Sequence, residues 1–308
     1  MDRRYFLSIF LVLAFGASHA GRTQEVQRVD VREGGLVGQF FAPVGASRRT
    51  SVLMLGGSGG SYPDEAAARD LARAGYPVLA LAYFRDRQGN PPELEQKELR
   101  RVPLEYMFKA LDWLKARPEV RADRIVVIGE SRGAELALMI GSLRPDVTGV
   151  IAFSPLELRW AAVGGGDAAW TLNGVPLPYV EGVYNRATPM SQYTDILDRP
   201  ADVRNPAAIE VERIHGPVLL ISSKADALAP SARMANDIEA RLRAHGFSYT
   251  VENVQYENAS HLLMGFGPGQ TEFRVNERFT MHFGGTAEGT EKARNSGWAR
   301  VKEFLGRL

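Results

Sequence analysis

Ile125-Val126-Val127-Ile128-Gly129-Glu130-Ser131-Arg132-Gly133-Ala134-Glu135-Leu136-Ala137-Leu138 joins a β-branched run to a run of helix formers through a G-x-S-x-G pentapeptide. Four consecutive Ile and Val residues suit a strand buried on both faces. Ala134 to Leu138 suits a helix. A serine between such a strand and such a helix sits on a strained, tight turn, and the flanking glycines let the two elements close up so that its hydroxyl projects above the sheet. Ser131 therefore reads as a nucleophile. The plainer alternative is a helix N-terminus capped by Ser131.

The same grammar recurs on both sides of this stretch. Ser51-Val52-Leu53-Met54-Leu55 is a second buried strand, feeding the glycine loop Gly56-Gly57-Ser58-Gly59-Gly60. Ser61, Pro63 and Asp64 predict a helix start with serine at the cap, and Gly75 predicts its stop. Residues 77–83 are a third strand, and Leu104, Met107, Leu111 and Leu114 set a helical period over 102–115. Short strands at 149–153, 218–222 and 249–254 follow, with helices at Met234, Ile238 and Leu242 and at 291–308. Residues 31–41 hold one or two leading strands. Alternation of this kind predicts an α/β fold with a mainly parallel central sheet and helices on both faces. Residues 156–208 break the alternation. They carry Gly164-Gly165-Gly166 and Trp160, Trp170, Tyr179, Tyr184 and Tyr193, and they read as an insertion that shapes a substrate pocket. The alternative is a surface excursion that packs its own aromatics.

The chain has 308 residues, a formal net charge of +1 and no cysteine. That charge gives no bulk field for nucleic acid. The absence of cysteine excludes disulfides, a thiolate nucleophile, lipid attachment through cysteine and cysteine metal ligands. Neither H-E-x-x-H nor an EF-hand loop is present, and the glycine loop lacks P-loop spacing, so no metal and no cofactor is expected. At the N-terminus, Asp2-Arg3-Arg4 precedes eleven mostly apolar residues, 5–15, and small residues stand at Ser18 and Ala20. This predicts a signal peptide over 1–20, cleaved after Ala20, with a single catalytic domain over 21–308. The expected location is periplasmic or secreted, with no membrane span after cleavage. An uncleaved anchor is the alternative.

A serine hydroxyl needs a base, and a carboxylate to orient that base. Of five histidines, His19 falls in the leader, His215 precedes a strand and His245 ends a helix. His261, in a small-residue loop just after the last strand, is the expected base, with His282 in reserve. Asp226, four residues past the 218–222 strand, is the expected carboxylate, the alternative being a helix cap before Ser231. Asp237 and Glu239 fall on the next helix. An oxyanion needs backbone N–H donors, expected from Arg132 and from Ser58, with Gly59 its neighbour. The side chains of Glu130 and Arg132 are expected to pair with each other or to touch substrate.

At these residues the chain resembles the C-terminal catalytic domain of acyl-CoA thioester hydrolases and bile acid-CoA:amino acid N-acyltransferases, within the α/β-hydrolase superfamily. The stretches that carry the resemblance are G-Y-P-V-L-A-L-A-Y-F from Gly75, G-E-S-R-G-A-E-L-A-L from Gly129, V-E-R-I-H-G-P-V-L-L-I-S from Val211 and A-P-S-A-R-M-A from Ala229. R-A-H-G from Arg243, A-S-H-L from Ala259, G-G-T-A-E from Gly284 and the helix of Trp298 complete them. The resemblance implies a triad of Ser131, Asp226 and His261. It also implies an acyl ester or thioester as the small-molecule substrate. The family's eukaryotic members carry an N-terminal β-sandwich, whereas about thirty residues separate Ala20 from the first core strand here. Its amino-acid-conjugating members use cysteine as nucleophile, so Ser131 points to hydrolysis. Acyl-CoA is cytosolic, and the predicted export suits a carboxylesterase of dienelactone-hydrolase type. An acyltransferase and a non-catalytic exported binding protein are the remaining alternatives.

Overall fold

A computed structural model describes residues 24–45, 49–185 and 189–308. The expected signal peptide lies outside the described residues. The central sheet is built from β1 (Val26–Val31), β2 (Val37–Pro43), β3 (Arg49–Leu55), β4 (Val78–Ala82), β5 (Val120–Glu130), β6 (Gly149–Phe153), β7 (Val218–Ser223) and β8 (Val251–Tyr256). Their spatial order is β1-β2-β4-β3-β5-β6-β7-β8. The β1–β2 and β2–β4 junctions are antiparallel, and every other junction is parallel. This is the α/β-hydrolase fold the alternation predicted.

Strand alternation divides the interior in two. Leu53, Leu55, Val127, Val150 and Leu220 face one layer, with α2 (Leu104–Lys115), α3 (Arg132–Leu143) and α4 (Ser231–Ala244). Val52, Met54, Val126, Ile151 and Ile221 face the other, with α1 (Glu65–Arg73) and α5 (Ala287–Gly306). Successive side chains of a strand point to opposite faces. A strand covered by helices on both faces must therefore be apolar throughout, which is why β4 reads V-L-A-L-A. Among the described residues, no helix is long and apolar enough to cross a membrane.

Two local expectations change. α1 begins at Glu65 and is capped by Asp64, whose carboxylate accepts the N–H groups of Ala66 and Ala67. Ser61 instead turns the chain with φ of 65°. A carboxylate that can reach two orphan N–H groups displaces the serine three residues earlier. Beyond His261 the chain also forms an antiparallel hairpin, β9 (Glu272–Asn276) and β10 (Phe279–His282), for which no strand was expected.

The 156–208 segment packs only some of its own aromatics, since Trp170 packs into the main core against Tyr83 and Tyr179 and Tyr184 are exposed. Trp160 meets Tyr193 edge-on at 4.7 Å, in a small core with Leu156, Leu158, Ile196 and Leu197. Trp170–Leu172 joins Val102–Pro103 and Val175–Pro176 in a three-stranded sheet. Arg132 and Glu135 hold this segment to α3. Arg132 Nε lies 2.9 Å from Glu135 Oε2, and Arg132 Nη2 donates to the Trp160 carbonyl at 2.9 Å. Glu135 Oε1 accepts the Trp170 indole N–H at 2.6 Å and the Trp160 backbone N–H at 3.1 Å. Glu135 is fully buried. Burial pushes its carboxyl upward, while the Arg132 charge and the Trp170 and Trp160 N–H groups pull it back.

Glu135→Ala leaves the buried Arg132 guanidinium without its counter-charge and two N–H groups without an acceptor. Urea unfolding should show a loss of about 3–5 kcal/mol. A loss of less than about 0.5 kcal/mol, the level of an ordinary surface change, would contradict the anchoring role.

Candidate active site

Ser131 follows the last residue of β5 and immediately precedes α3, with φ of 56° and ψ of −120°. A serine pays for that conformation in backbone strain, and only a surround that over-determines it keeps it there. The surround is backbone packing. A Cβ on Gly129 would lie 1.9 Å from the Gly133 carbonyl oxygen, and a Cβ on Gly133 would lie 2.3 Å from that of Gly56. Only hydrogen fits at either position. The Ser131 N–H donates to the Phe153 carbonyl of β6 at 2.9 Å, which fixes the turn to the neighbouring strand.

The glycine loop lies against this turn. A Cβ on Gly57 would stand 3.4 Å from Ser131 Cβ and 4.0 Å from its Oγ. The buried Tyr83 hydroxyl donates to the Gly56 carbonyl at 2.6 Å and so holds the loop down. The N–H groups of Arg132, at the first turn of α3, and of Ser58 are thus carried by the two backbone segments that meet at Ser131. First-turn N–H groups have no partner inside their own helix.

Asp226 and His261 meet directly. His261 Nδ1 and Asp226 Oδ2 are 2.7 Å apart, and the two residues are only 2% and 3% exposed. Asp226 Oδ2 also accepts the Ser231 hydroxyl at 2.6 Å, while Oδ1 accepts the N–H groups of Leu228 at 2.9 Å and Ala229 at 3.0 Å. Both its oxygens are engaged, so its orientation is fixed. Residues 283–285 tie the two loops together. The His261 N–H donates to the Phe283 carbonyl at 2.9 Å, the Ala227 N–H to the same carbonyl at 3.2 Å, and the Gly285 N–H to Ala225 at 3.1 Å. The Ser154 hydroxyl, just past β6, donates to the His261 carbonyl at 2.6 Å.

Burial opposes charging of the His261 ring, but the charge and hydrogen bond of Asp226, with the charge of Glu130, outweigh it and raise the imidazole above its ordinary value. With Nδ1 turned to Asp226, Nε2 is the ring nitrogen that faces away from it. It is buried and makes no hydrogen bond, so Ser131 Oγ and His261 Nε2 are not bonded to each other here. Hydrogen bonds of this kind are often long in an unliganded site and tighten when substrate arrives.

The other histidines lie elsewhere. His282 is 70% exposed on the hairpin, with Nδ1 3.5 Å from Glu272. His245 caps the end of α4 with Nδ1 2.9 Å from the Arg241 carbonyl, and His215 is exposed. Glu130 and Arg132 do not pair with each other. Arg132 turns to Glu135, and Glu130 turns to the His261 loop, where its Oε1 accepts the N–H groups of Leu263 and Met264, each at 2.7 Å. Sequence reasoning missed Ser154, Ser231 and the 283–285 strap. Only the position of Ser154, at the C-terminal end of a parallel strand, could have pointed to it. Among the described residues, no three His, Asp or Glu side chains gather as metal ligands would.

The family described as BAAT / acyl-CoA thioester hydrolase C terminal matches residues 102–308. Peroxisomal succinyl-coenzyme A thioesterase of Mus musculus is 25% identical over 92% of this chain and 65% of its own length. Acyl-coenzyme A amino acid N-acyltransferase 1 of Mus musculus is 28% identical over 91% and 65%, and acyl-coenzyme A thioesterase 1 of Rattus norvegicus is 29% identical over 77% and 54%. The chain therefore spans between about half and two thirds of the length of these relatives. A putative dienelactone hydrolase structure from Klebsiella pneumoniae aligns with a TM-score of 0.56 and 17% identity, over 93% of this chain and all of that one. The likeness concerns fold alone. By the match over residues 102–308, this chain belongs to the BAAT / acyl-CoA thioester hydrolase C-terminal family.

Proposed function

We propose that this chain is a serine hydrolase that cleaves acyl thioesters or esters through an acyl-enzyme. The observation that carries the reading is the buried 2.7 Å contact of His261 with Asp226, in a fold that also holds Ser131 on a strained turn. In this reading, Ser131 Oγ attacks the acyl carbonyl and His261 Nε2 takes its proton. The same nitrogen then delivers that proton to the departing thiol or alcohol. Asp226 keeps the Nδ1 proton facing itself and stabilises the imidazolium. The N–H groups of Arg132 and Ser58 receive the oxyanion. Water, deprotonated by His261, then cleaves the acyl-enzyme, releasing the acid and restoring Ser131.

Two relatives of this chain are named as a thioesterase and an amino acid N-acyltransferase. Serine rather than cysteine at position 131 favours water as the acceptor, because an oxygen ester is less activated towards amines than a thioester. The second reading is an exported carboxylesterase. It rests on the charged, apolar and small-residue succession of residues 2–20, which would carry the enzyme away from cytosolic acyl-CoA.

Matched kinetics on p-nitrophenyl esters and the corresponding acyl-CoA thioesters separate the two readings. Faster thioester turnover selects the first, and ester turnover with negligible thioester turnover selects the second. Ser131→Ala should lower turnover on the preferred substrate by about 10⁴-fold or more with the circular dichroism unchanged. Retained turnover would remove Ser131 from the reaction.

The pH profile follows from the raised imidazole. Neutral His261 is the active form, so kcat/KM should be full above the folded pKa and fall as pH drops through it. That acid limb should lie above the ordinary histidine value of about 6.5. A limb well below that value would show that the Asp226 and Glu130 charges do not act on the working base.

A further inference from the structure

The residue before the nucleophile has a task that the triad leaves unassigned. Glu130 is the last residue of β5, and its side chain reaches across to the loop that follows His261. One oxygen accepts two successive N–H groups, those of Leu263 and Met264, each at 2.7 Å. The far side of the same loop is held by Arg294 of α5. Arg294 Nη1 donates to the Met264 carbonyl at 2.6 Å, Nη2 to Phe266 at 3.0 Å and Nε to Gly267 at 3.3 Å. Residue 264 is thus gripped at both ends of its backbone, the N–H by the elbow and the carbonyl by α5. Its side chain is buried, as is that of Leu263.

We propose that Glu130 is a positioning residue that fixes the His261 loop to the turn carrying Ser131, so that base and nucleophile share one rigid mount. The proposal rests on the reading of Ser131 and His261 as nucleophile and base. The Asp226 contact sets the orientation of the ring but leaves the distance from ring to Ser131 to the backbone. Glu130 supplies a direct tie between the two, since it is bonded in sequence to Ser131 and in space to the third and fourth residues of the His261 segment. Its charge also faces the imidazole. Asp226 and Glu130 are the acidic groups acting on His261, and Arg294 is the cation acting on Glu130. Burial pushes the Glu130 carboxyl upward, and the two N–H groups, His261 and Arg294 pull it back.

The two roles separate in two variants of the full chain. Glu130→Ala removes both acceptor and charge. Its kcat should fall by about 10²-fold, the cost of a misplaced reacting group, with KM little changed. Hydrogen exchange at the Leu263 and Met264 amides should quicken in the same variant. Glu130→Gln keeps an oxygen with two lone pairs. It should restore most of the kcat and the slow exchange, while the acid limb of kcat/KM moves to lower pH, because the negative charge that favours imidazolium is gone. Unchanged kcat in Glu130→Ala would overturn the proposal, as would unchanged exchange at both amides. A wild-type chain that neither turns over nor labels at Ser131 with a fluorophosphonate would count against the serine-hydrolase reading. The exchange result would still decide whether Glu130 holds the loop.

Discussion

Gly129 and Gly133 touch backbone to backbone, and the chemistry of the molecule hangs from that contact. A Cβ on Gly129 would collide with the Gly133 carbonyl oxygen, so β5 and α3 can meet only with glycine at 129, and a Cβ on Gly133 would collide with the Gly56 carbonyl oxygen of the glycine loop. Their closeness forces the tight turn, and the turn forces Ser131 to a positive φ. Such a residue carries strain of about 1–3 kcal/mol. The strain is held by the Ser131 N–H on Phe153, by the packing of Gly133 against Gly56 and by the burial of α3. Three successive side chains then leave the turn in three directions. Glu130 goes to the His261 loop, Ser131 stays at the surface of the turn, and Arg132 goes under the 156–208 segment.

Two buried ionic contacts flank the turn, and their surroundings give them different characters. Arg132–Glu135 is enclosed by Trp160 and Trp170, and the partners it engages are structural. Such a pair contributes chiefly by the cost of breaking it. Asp226–His261 is buried as deeply, and its ring has one nitrogen, Nε2, that makes no hydrogen bond. A buried ring nitrogen without a hydrogen bond is unfavourable for folding. Both Asp226 oxygens are satisfied, whereas His261 Nε2 is left unbonded.

The pieces visible in the sequence were those set by local rules. Residues 149–153 were placed to the residue and the edge of 218–222 moved by one, because apolar strands buried on both faces leave little freedom, and the helix expected over 102–115 moved by two at its start because its apolar period marks a face more sharply than an end. His261 and Asp226 stood out because loops at the C-terminal ends of parallel strands are few. The start of α1 was missed because Ser61 and Asp64 offer the same capping chemistry three residues apart, and only the backbone turn at Ser61 decides between them. E-F-R-V-N of β9 and F-T-M-H of β10 do alternate polar and apolar residues, but over only five and four positions, too short a run to stand out. The partners of Glu130 lie more than 130 positions away in the chain, and no spacing rule reaches that far.

The placement of His261 is a property of three chain segments, and the Asp226 carboxylate alone does not determine it. Strap residues 283–285 bond to both the 225–227 loop and His261, so the Asp226–His261 separation is set by backbone before any charge acts. Ser154 fixes the His261 carbonyl from β6, and Glu130 fixes the following turn from β5. These supports come from adjacent strands of the same sheet, whose spacing is invariant to within hydrogen-bond tolerance. A loop tied to neighbouring strands inherits the rigidity of the sheet. That is how residues 226 and 261, far apart in sequence, are held against each other. It also explains why the supporting side chains are short or bonded through a single oxygen: each transmits the position of a strand, and a longer, freer side chain would transmit less of it.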